Sequence, residues 1–245
     1  MISIIIPSKN EPYLQKTVDD IKRHAEGEVE ILVGIDDHEQ IGQRAQMNKL
    51  ARQARGEYIM KCDAHCSFGQ GFDSILLEDI QDNQIVAPYL LVLDAENWKV
   101  RPDKKTSSYV FDSQLVMHYG VENKEPINET MCLQGSCFMT RTENYWNWNL
   151  CDESLGSWGG QGSELGIKAY SNGGVCVTNK KTYYGHLFRH FEEDFPYKRS
   201  RAEIDASHQA VVKTLLTKEI KGLIEKYNFP VDWKENLHVL DSGMV

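Results

Sequence analysis

The 245 residues include 27 basic and 36 acidic side chains, a formal net charge of −9, with 41% hydrophobic and 26% charged residues. A chain of this length hides about 70% of its unfolded surface and needs no disulfide or metal staple to fold, and its ordinary globular composition excludes a disordered or collagen-like protein. The acidic balance excludes a blanket cationic surface for nucleic acid, though not a local basic patch; no apolar run reaches the ~18 residues of a membrane span, and Met1–Pro7 lacks the basic region and cleavage site of a signal peptide, so a cytoplasmic chain is expected.

The first half alternates strand and helix signals. Ile2–Ile6 is a β-branched run closed by Pro7, the pattern of a buried parallel strand. Pro12–His24 carries Leu14, Val18 and Ile21 at helical spacing, with Pro near the first turn and Gly27 beyond the end. Val29–Ile35 reads as a second buried strand, Ile41–Arg55 as a helix stopped by Gly56, and Glu57–Cys62 as a third strand. Such a β-α-β-α-β series has right-handed crossovers and gives a parallel sheet with helices on both faces.

Farther on, Ile75–Ile80 predicts a helix and Ile85–Leu93 a strand, and Trp98–Tyr119 predicts loops and short strands. Met131–Thr140 predicts one strand, Thr142–Trp148 a helix, and Gly156–Gly162 a glycine-rich loop leading into a helix over Ser163–Ser171. Val175–Thr178 returns as a strand, the charged and aromatic stretch Phe188–Arg201 reads as a mobile loop, Ala206–Tyr227 as an amphipathic helix, and the tail after Pro230 has no clear pattern. No repeat or low-complexity linker divides the chain, so one compact domain is expected.

The six cysteines, Cys62, Cys66, Cys132, Cys137, Cys151 and Cys176, lie among apolar or small residues and read as free thiols of a reducing compartment. A zinc site from Cys62, His65 and Cys66 is conceivable, without any paired Cys-x-x-Cys to support it.

The strongest local signal is Lys61-Cys62-Asp63-Ala64-His65-Cys66, at the C-terminal end of the third expected strand, where open α/β sheets place ligands. In extended chain Asp63 and His65 point the same way across the small Ala64. One carboxylate and one imidazole suit a transition ion such as Mn²⁺; a capping Asp beside a hydrogen-bonded surface His would carry the same spacing.

The Asp-Ala-His-Cys pattern resembles the metal motif of GT-A glycosyltransferases, in the Asp-x-His form of the polypeptide N-acetylgalactosaminyltransferases. The likeness continues in order over about residues 2–200, through Ser3-Ile4-Ile5-Ile6-Pro7-Ser8-Lys9-Asn10-Glu11, Ile35-Asp36-Asp37, Arg44-Ala45, Gly56-Glu57-Tyr58-Ile59, Trp158-Gly159-Gly160-Gln161-Gly162-Ser163-Glu164-Leu165, Gly185-His186-Leu187-Phe188-Arg189 and Pro196-Tyr197. The resemblance implies a GT-A, Rossmann-like α/β fold: a mixed, mostly parallel sheet flanked by helices over residues 1–200. Residues 201–245 would form a helical extension packed on it.

By position, the resemblance implies Asp63, His65 and His186 as ligands of Mn²⁺ or another divalent cation bridging the phosphates of a UDP-sugar. Pro7, Ser8 and Asn10 would line the nucleotide pocket, Asp36 or Asp37 would accept from the uracil or ribose, and Arg44 would face the uracil. Arg189 would hold the pyrophosphate, Gly135 and Ser136 would meet the sugar, and Trp158 and Tyr197 would form the closing loop. The family's Glu and Asn after Trp-Gly-Gly are Gln161 and Gly162 here, leaving Glu164 as the nearest acid. An inverting displacement needs a base within reach of the acceptor hydroxyl, so Gln161, Glu164 and Trp158 are the candidate catalytic residues and the sequence leans to retention.

For the acceptor, a hydroxymethylated pyrimidine in DNA, as in phage DNA modification, stands level with a protein or glycan hydroxyl; a phage enzyme would act in the host cytoplasm. Basic clusters at Lys99–Lys105, Lys180-Lys181 and Lys198-Arg199-Arg201 bear on the DNA reading. Two other classes stand beside the transferase. One is a catalytically impaired GT-A domain that binds nucleotide-sugars. The other, a nucleotidyltransferase, would want a glycine-rich phosphate loop where Pro7-Ser8-Lys9-Asn10-Glu11 stands.

Overall fold

A computed structural model of the chain describes residues 1–189, 191–198 and 200–240; for Lys104, Lys105 and Glu192 it describes the backbone alone. In chain order the elements are β1 (Ile2–Ser8), α1 (Leu14–His24), β2 (Val29–Ile35), α2 (Gln43–Ala51), β3 (Tyr58–Cys62), β4 (Cys66–Phe68), α3 (Phe72–Asp79) and β5 (Gln84–Asp94). There follow β6 (Lys99–Thr106), β7 (Tyr109–Phe111), β8 (Met117–Tyr119), β9 (Ile127–Thr130), β10 (Cys137–Arg141), α4 (Thr142–Asn147) and α5 (Gln161–Ser171). The chain closes with β11 (Val175–His186), α6 (Arg201–Leu215), α7 (Lys221–Lys226) and α8 (Trp233–Asn236).

Nine strands form one mixed sheet, with the path β2-β1-β3-β10-β5-β11-β4 and with β6 on β5 and β9 on β11. Strands β2, β1, β3, β5 and β11 run in one direction, and β10 and β4 oppose them. Every residue of β1 is buried, because it lies between β2 and β3 in the sheet and α2 packs against it, and a fully buried strand needs its unbroken apolar run. Helix α2 stops at Ala51, short of Arg55; Arg55 instead turns its side chain to Glu30, with Nε 2.6 Å from Oε1.

Four expectations are corrected. Val29–Ile35 is a strand but not a buried one: β2 lies at the edge of the sheet, and Val33 and Ile35 are exposed. Met131–Thr140 is not one strand: β9 ends at Thr130 and β10 begins at Cys137. The Gln134 side chain accepts from Ser136 N at 2.6 Å, and Lys61 takes the Gly135 carbonyl, so the segment between the two strands turns. Strand β11 does not end at Thr178 but runs on to His186. An irregularity between Asn179 and Tyr183 accommodates Lys180 and Lys181, and Lys181 pairs with Asp79. The helix expected over Ala206–Tyr227 is broken at Thr217, whose backbone is extended, with a 3-10 turn at Lys218–Ile220 before α7. The patternless tail is anchored by the buried Trp233, whose Nε1–H donates to Phe111 O at 2.8 Å, and by Asp232, which accepts from Ser113.

Helix α5 lies unusually close to the segment before β10. A Cβ at Gly162 would sit 2.3 Å from the Leu133 carbonyl oxygen, and one at Gly166 would sit 2.3 Å from that of Met131. Both neighbours are backbone, so neither can swing aside. This explains why no side chain stands at 162. Gly162→Ala and Gly166→Ala are each expected to destabilise the fold by about 1–3 kcal/mol through overpacking, against the ~1 kcal/mol that alanine gains over glycine in a free helix. Urea titration checks this, and an unchanged or raised midpoint in both variants would refute the close approach.

Candidate active and metal site

Strand β3 is interior to the sheet, and its C-terminal end delivers Asp63 to the rim, where Asp63 N donates to Ser136 O at 2.8 Å. The antiparallel pairing of β11 with β4 sets His186 opposite Cys66, the neighbour of His65. Three side chains far apart in sequence therefore converge. Nε2 of His186 is 3.1 Å from Asp63 Oδ2, the two histidine Nε2 atoms are 3.2 Å apart, and His65 Nε2 lies 3.9 Å from Asp63 Oδ2. Two donors about 2.1 Å from one ion lie about 3.0 Å apart at a right angle and about 3.4 Å at the tetrahedral angle. The residues thus fit a single divalent ion, and one carboxylate with two imidazoles is a donor set suited to Mn²⁺.

The surroundings hold these ligands in place. Glu11 Oε2 lies 3.0 Å from His65 Nδ1, the partner that directs Nε2 and its lone pair towards the other two ligands. Arg189 Nη2 is 2.9 Å from Glu11. The Phe188 ring meets His186 edge-on at a 4.6 Å centroid distance. Lys61, only 1% exposed, places Nζ 2.5 Å from Asp63 Oδ1 and 2.6 Å from Gly135 O.

Burial would raise the Asp63 carboxyl, but the Lys61 ammonium and the two imidazoles hold it well below the usual carboxylate range. Burial pushes His186 down to about 4, in spite of its hydrogen bond to Asp63, so near pH 7 its ring is neutral. Burial also pushes the Cys62 and Cys66 thiols well up, and protonated thiols are poor ligands. Among the described residues the one group of three or more His, Cys, Asp or Glu side chains placed to hold an ion is Asp63, His65 and His186. The Cys62–His65–Cys66 zinc alternative does not form.

Two cavities share Gln43 and Trp158 in their linings, and Asp63 of the triad lines the second. The first is lined at the ends of β1 and β2 by Pro7, Ser8, Lys9 and Asp36, with Gln43 and Gln46 from α2, Trp158, Tyr197, Lys198, and Ser200, Glu203 and Ile204 at the start of α6. Asp36 turns its carboxylate to the amides of Ile41 and Gly42, 2.9 Å each. The second is lined by Lys61, Asp63, Val116, Met117, Gln134, Gly135, Ser136, Trp158, Gln161 and His208.

Five expected site residues stand elsewhere. Arg44 does not face a cavity: 2% exposed, it donates to Glu164 Oε2 from Nε and Nη2 at 3.2 and 3.0 Å, and to the carbonyls of Gly156 and Gly159. Glu164, fully buried, also accepts from Lys168 Nζ at 2.7 Å and from Asp152 N at 2.9 Å. Its carboxylate is consumed by the structure and is not aimed at a substrate. Asn10 and Asp37 bond to each other, Asn10 N to Asp37 Oδ1 at 2.7 Å, outside both cavities. Arg189, expected on the pyrophosphate, lies behind His65 against Glu11, with Nη1 3.3 Å from His65 Nδ1.

Sequence reasoning missed several residues that line the cavities or brace the triad. Lys9, Glu11 and Lys61 sat inside quoted motifs without a role; proximity to the motif was the available signal. Gln43 and Gln46 lay on a helix that read as polar. Ser200, Glu203, Ile204 and His208 come from a segment with no recognisable motif, and only the packing of α6 against the loop at Glu153–Leu155 and against α5 brings them in.

No protein-family model matches the chain. It is 27% identical over 152 residues to N-acetylgalactosaminyltransferase 6 of Drosophila melanogaster, a stretch that is 57% of this chain and 22% of the relative. It is 25% identical over 174 residues to polypeptide N-acetylgalactosaminyltransferase 12 of Mus musculus, 66% of this chain and 30% of the relative. The chain thus matches less than a third of the length of either. Among solved structures, GalNAc-T7 with UDP, GalNAc and Mn²⁺ superposes with a TM-score of 0.72 at 16% identity, over 99% of this chain and 57% of that one. Staphylococcus aureus TarS with UDP-GlcNAc gives 0.55 at 14% identity, over 99% and 71%. The fold shared with these structures is GT-A.

Proposed function

We propose that this GT-A chain, similar to polypeptide N-acetylgalactosaminyltransferases, is a divalent-metal-dependent glycosyltransferase moving a sugar from a UDP-sugar to a macromolecular hydroxyl. The observation that carries the reading is the convergence of Asp63, His65 and His186 at the end of β3, with Asp63 lining the second cavity. A bound Mn²⁺ would neutralise the diphosphate of the donor and take up charge as UDP leaves. Pro7, Ser8 and Asp36 would receive the nucleoside and Trp158 and Tyr197 would cover it, while Gly135 and Ser136 would face the sugar in the second cavity. An intact ligand set favours an enzyme over a nucleotide-sugar-binding module.

Among the described residues lining the second cavity, Asp63 is the sole carboxylate, and it belongs to the metal. That supports retention, with the leaving phosphate receiving the acceptor proton. An inverted product would point to His208, the remaining base on the rim.

The rim favours a protein or glycan hydroxyl over DNA. Next to the second cavity, β8 and its flanks expose Val116, Tyr119 and Val121, the last 91% exposed, and Lys61 is the only Lys or Arg among the described residues lining that cavity, while Lys9 and Lys198 line the first. Of the basic clusters, Arg101 pairs with Asp103 and Lys181 with Asp79; Arg199 and the side chains of Lys104 and Lys105 lie outside the described residues. Phosphate tracking calls for unpaired cations along a groove. All six cysteines are free and buried, which supports a reducing compartment, and no described helix is long and apolar enough to cross a membrane.

The test is a panel of UDP-sugars with Mn²⁺, offered separately to peptides, glycans and DNA carrying hydroxymethyl pyrimidines. Addition of one sugar to a peptide or glycan is the expected result, with the product anomer read by NMR. Addition to DNA nucleosides alone would overturn the acceptor class, and no UDP release with any donor would overturn the enzyme.

A further inference from the structure

Lys61 is a buried ammonium in a strand interior, between the apolar core residues Met60 and Cys62. Packing alone would ask for an apolar side chain there, because an ammonium taken out of water is costly unless it is paired. Its partners are specific. Nζ lies 2.5 Å from Asp63 Oδ1, leaving Oδ2 as the oxygen that faces the two histidine nitrogens, and 2.6 Å from Gly135 O on the loop lining the second cavity. Lys61 offsets the one carboxylate charge among the three ligands. The Glu11–Arg189 pair behind His65 cancels likewise. A divalent ion entering the donor-free protein meets a site with no net negative charge and a fixed cation beside its carboxylate.

We propose that Lys61 is a positioning residue that makes metal loading conditional on the donor: it holds Asp63 to one-oxygen ligation and repels a divalent ion until a diphosphate supplies the missing negative charge. The proposal rests on the metal-site reading above and adds an order to it. Metal and nucleotide-sugar enter as one charge-balanced set, and after transfer the departing UDP takes with it the charge that retained the ion.

The test is calorimetric titration of Mn²⁺ alone into donor-free wild type, Lys61→Met and Lys61→Gln, repeated with UDP present. Removal of a like charge this close is expected to tighten Mn²⁺ binding to donor-free Lys61→Met by about tenfold or more, with Lys61→Gln moving in the same direction and UDP narrowing the difference. A damaged site would bind metal more weakly, so the sign separates this role from a structural one. Unchanged or weakened Mn²⁺ binding in the variants overturns the role of Lys61 and leaves the metal site standing. The wild type needs no substitution: protein and UDP together should hold Mn²⁺ more tightly than their separate affinities allow, and independent binding overturns the proposal. Absence of Mn²⁺ binding in all three proteins, with UDP present, overturns the metal site as well.

Discussion

Asp63→Asn and His65→Ala should each lower Mn²⁺-dependent release of UDP from a nucleotide-sugar by about a thousandfold, the rate equivalent of several kcal/mol of lost charge stabilisation. Asparagine is the informative replacement at 63. It keeps an oxygen for the buried Lys61 ammonium, whereas alanine would strand that cation and confuse lost ligation with lost stability. Alanine is suitable at 65, because the partner left behind, Glu11, keeps its bond to Arg189. His65→Ala should unfold within a few degrees of wild type, whereas Asp63→Asn leaves the buried Lys61 ammonium with a neutral partner and should lose several degrees, so its rate is compared well below its own unfolding midpoint. Wild-type rates in either variant, or full activity of the unmodified protein in the presence of a chelator, would remove the triad from the reaction.

Glu164→Gln should cost about 3–5 kcal/mol of stability, the usual penalty for breaking a buried ion pair from one side, and should lower the unfolding midpoint by roughly 10 °C for a chain of this size. The carboxylate joins Arg44 of α2, Lys168 of α5 and the Asp152 amide, and Arg44 in turn holds the carbonyls of Gly156 and Gly159. The pair therefore fixes the loop that carries Trp158 to the cavities. Differential scanning calorimetry together with turnover at low temperature separates a structural from a catalytic Glu164. A large drop in turnover with an unmoved midpoint would restore it as a catalytic acid or base.

Legibility differed along the chain for identifiable reasons. Ile2–Ile6 was plain because a strand covered on both faces must be apolar throughout, and that run shows without any partner being known; Val29–Ile35 was legible as a strand from its β-branched residues, but its place at the exposed edge of the sheet was not. Asp63 and His65 were readable as a pair because alternation along extended chain is a local property. His186 was reachable only through the family resemblance, since Lys180-Lys181 disguised the strand that carries it. Arg44 and Glu164 were misplaced because a cation near one motif and an acid near another look the same whether they face a ligand or each other.

The sequence alone determined the alternating α/β order of the first half, the place of Asp63 and His65 at the end of β3 and the donor types these side chains offer, all consequences of short-range pattern. Tertiary structure decided the convergence of His186 with Asp63 and His65 through the register of β11 on β4, the burial of the Arg44–Glu164 pair, and the delivery of α6 side chains to both cavities. It also decided that Lys61, a charge in an apolar strand, would meet Asp63 and Gly135. The division has one physical cause. Backbone periodicity is set by neighbours along the chain, whereas the partner of a buried charge is set by which distant backbone the sheet brings within about 3 Å of it.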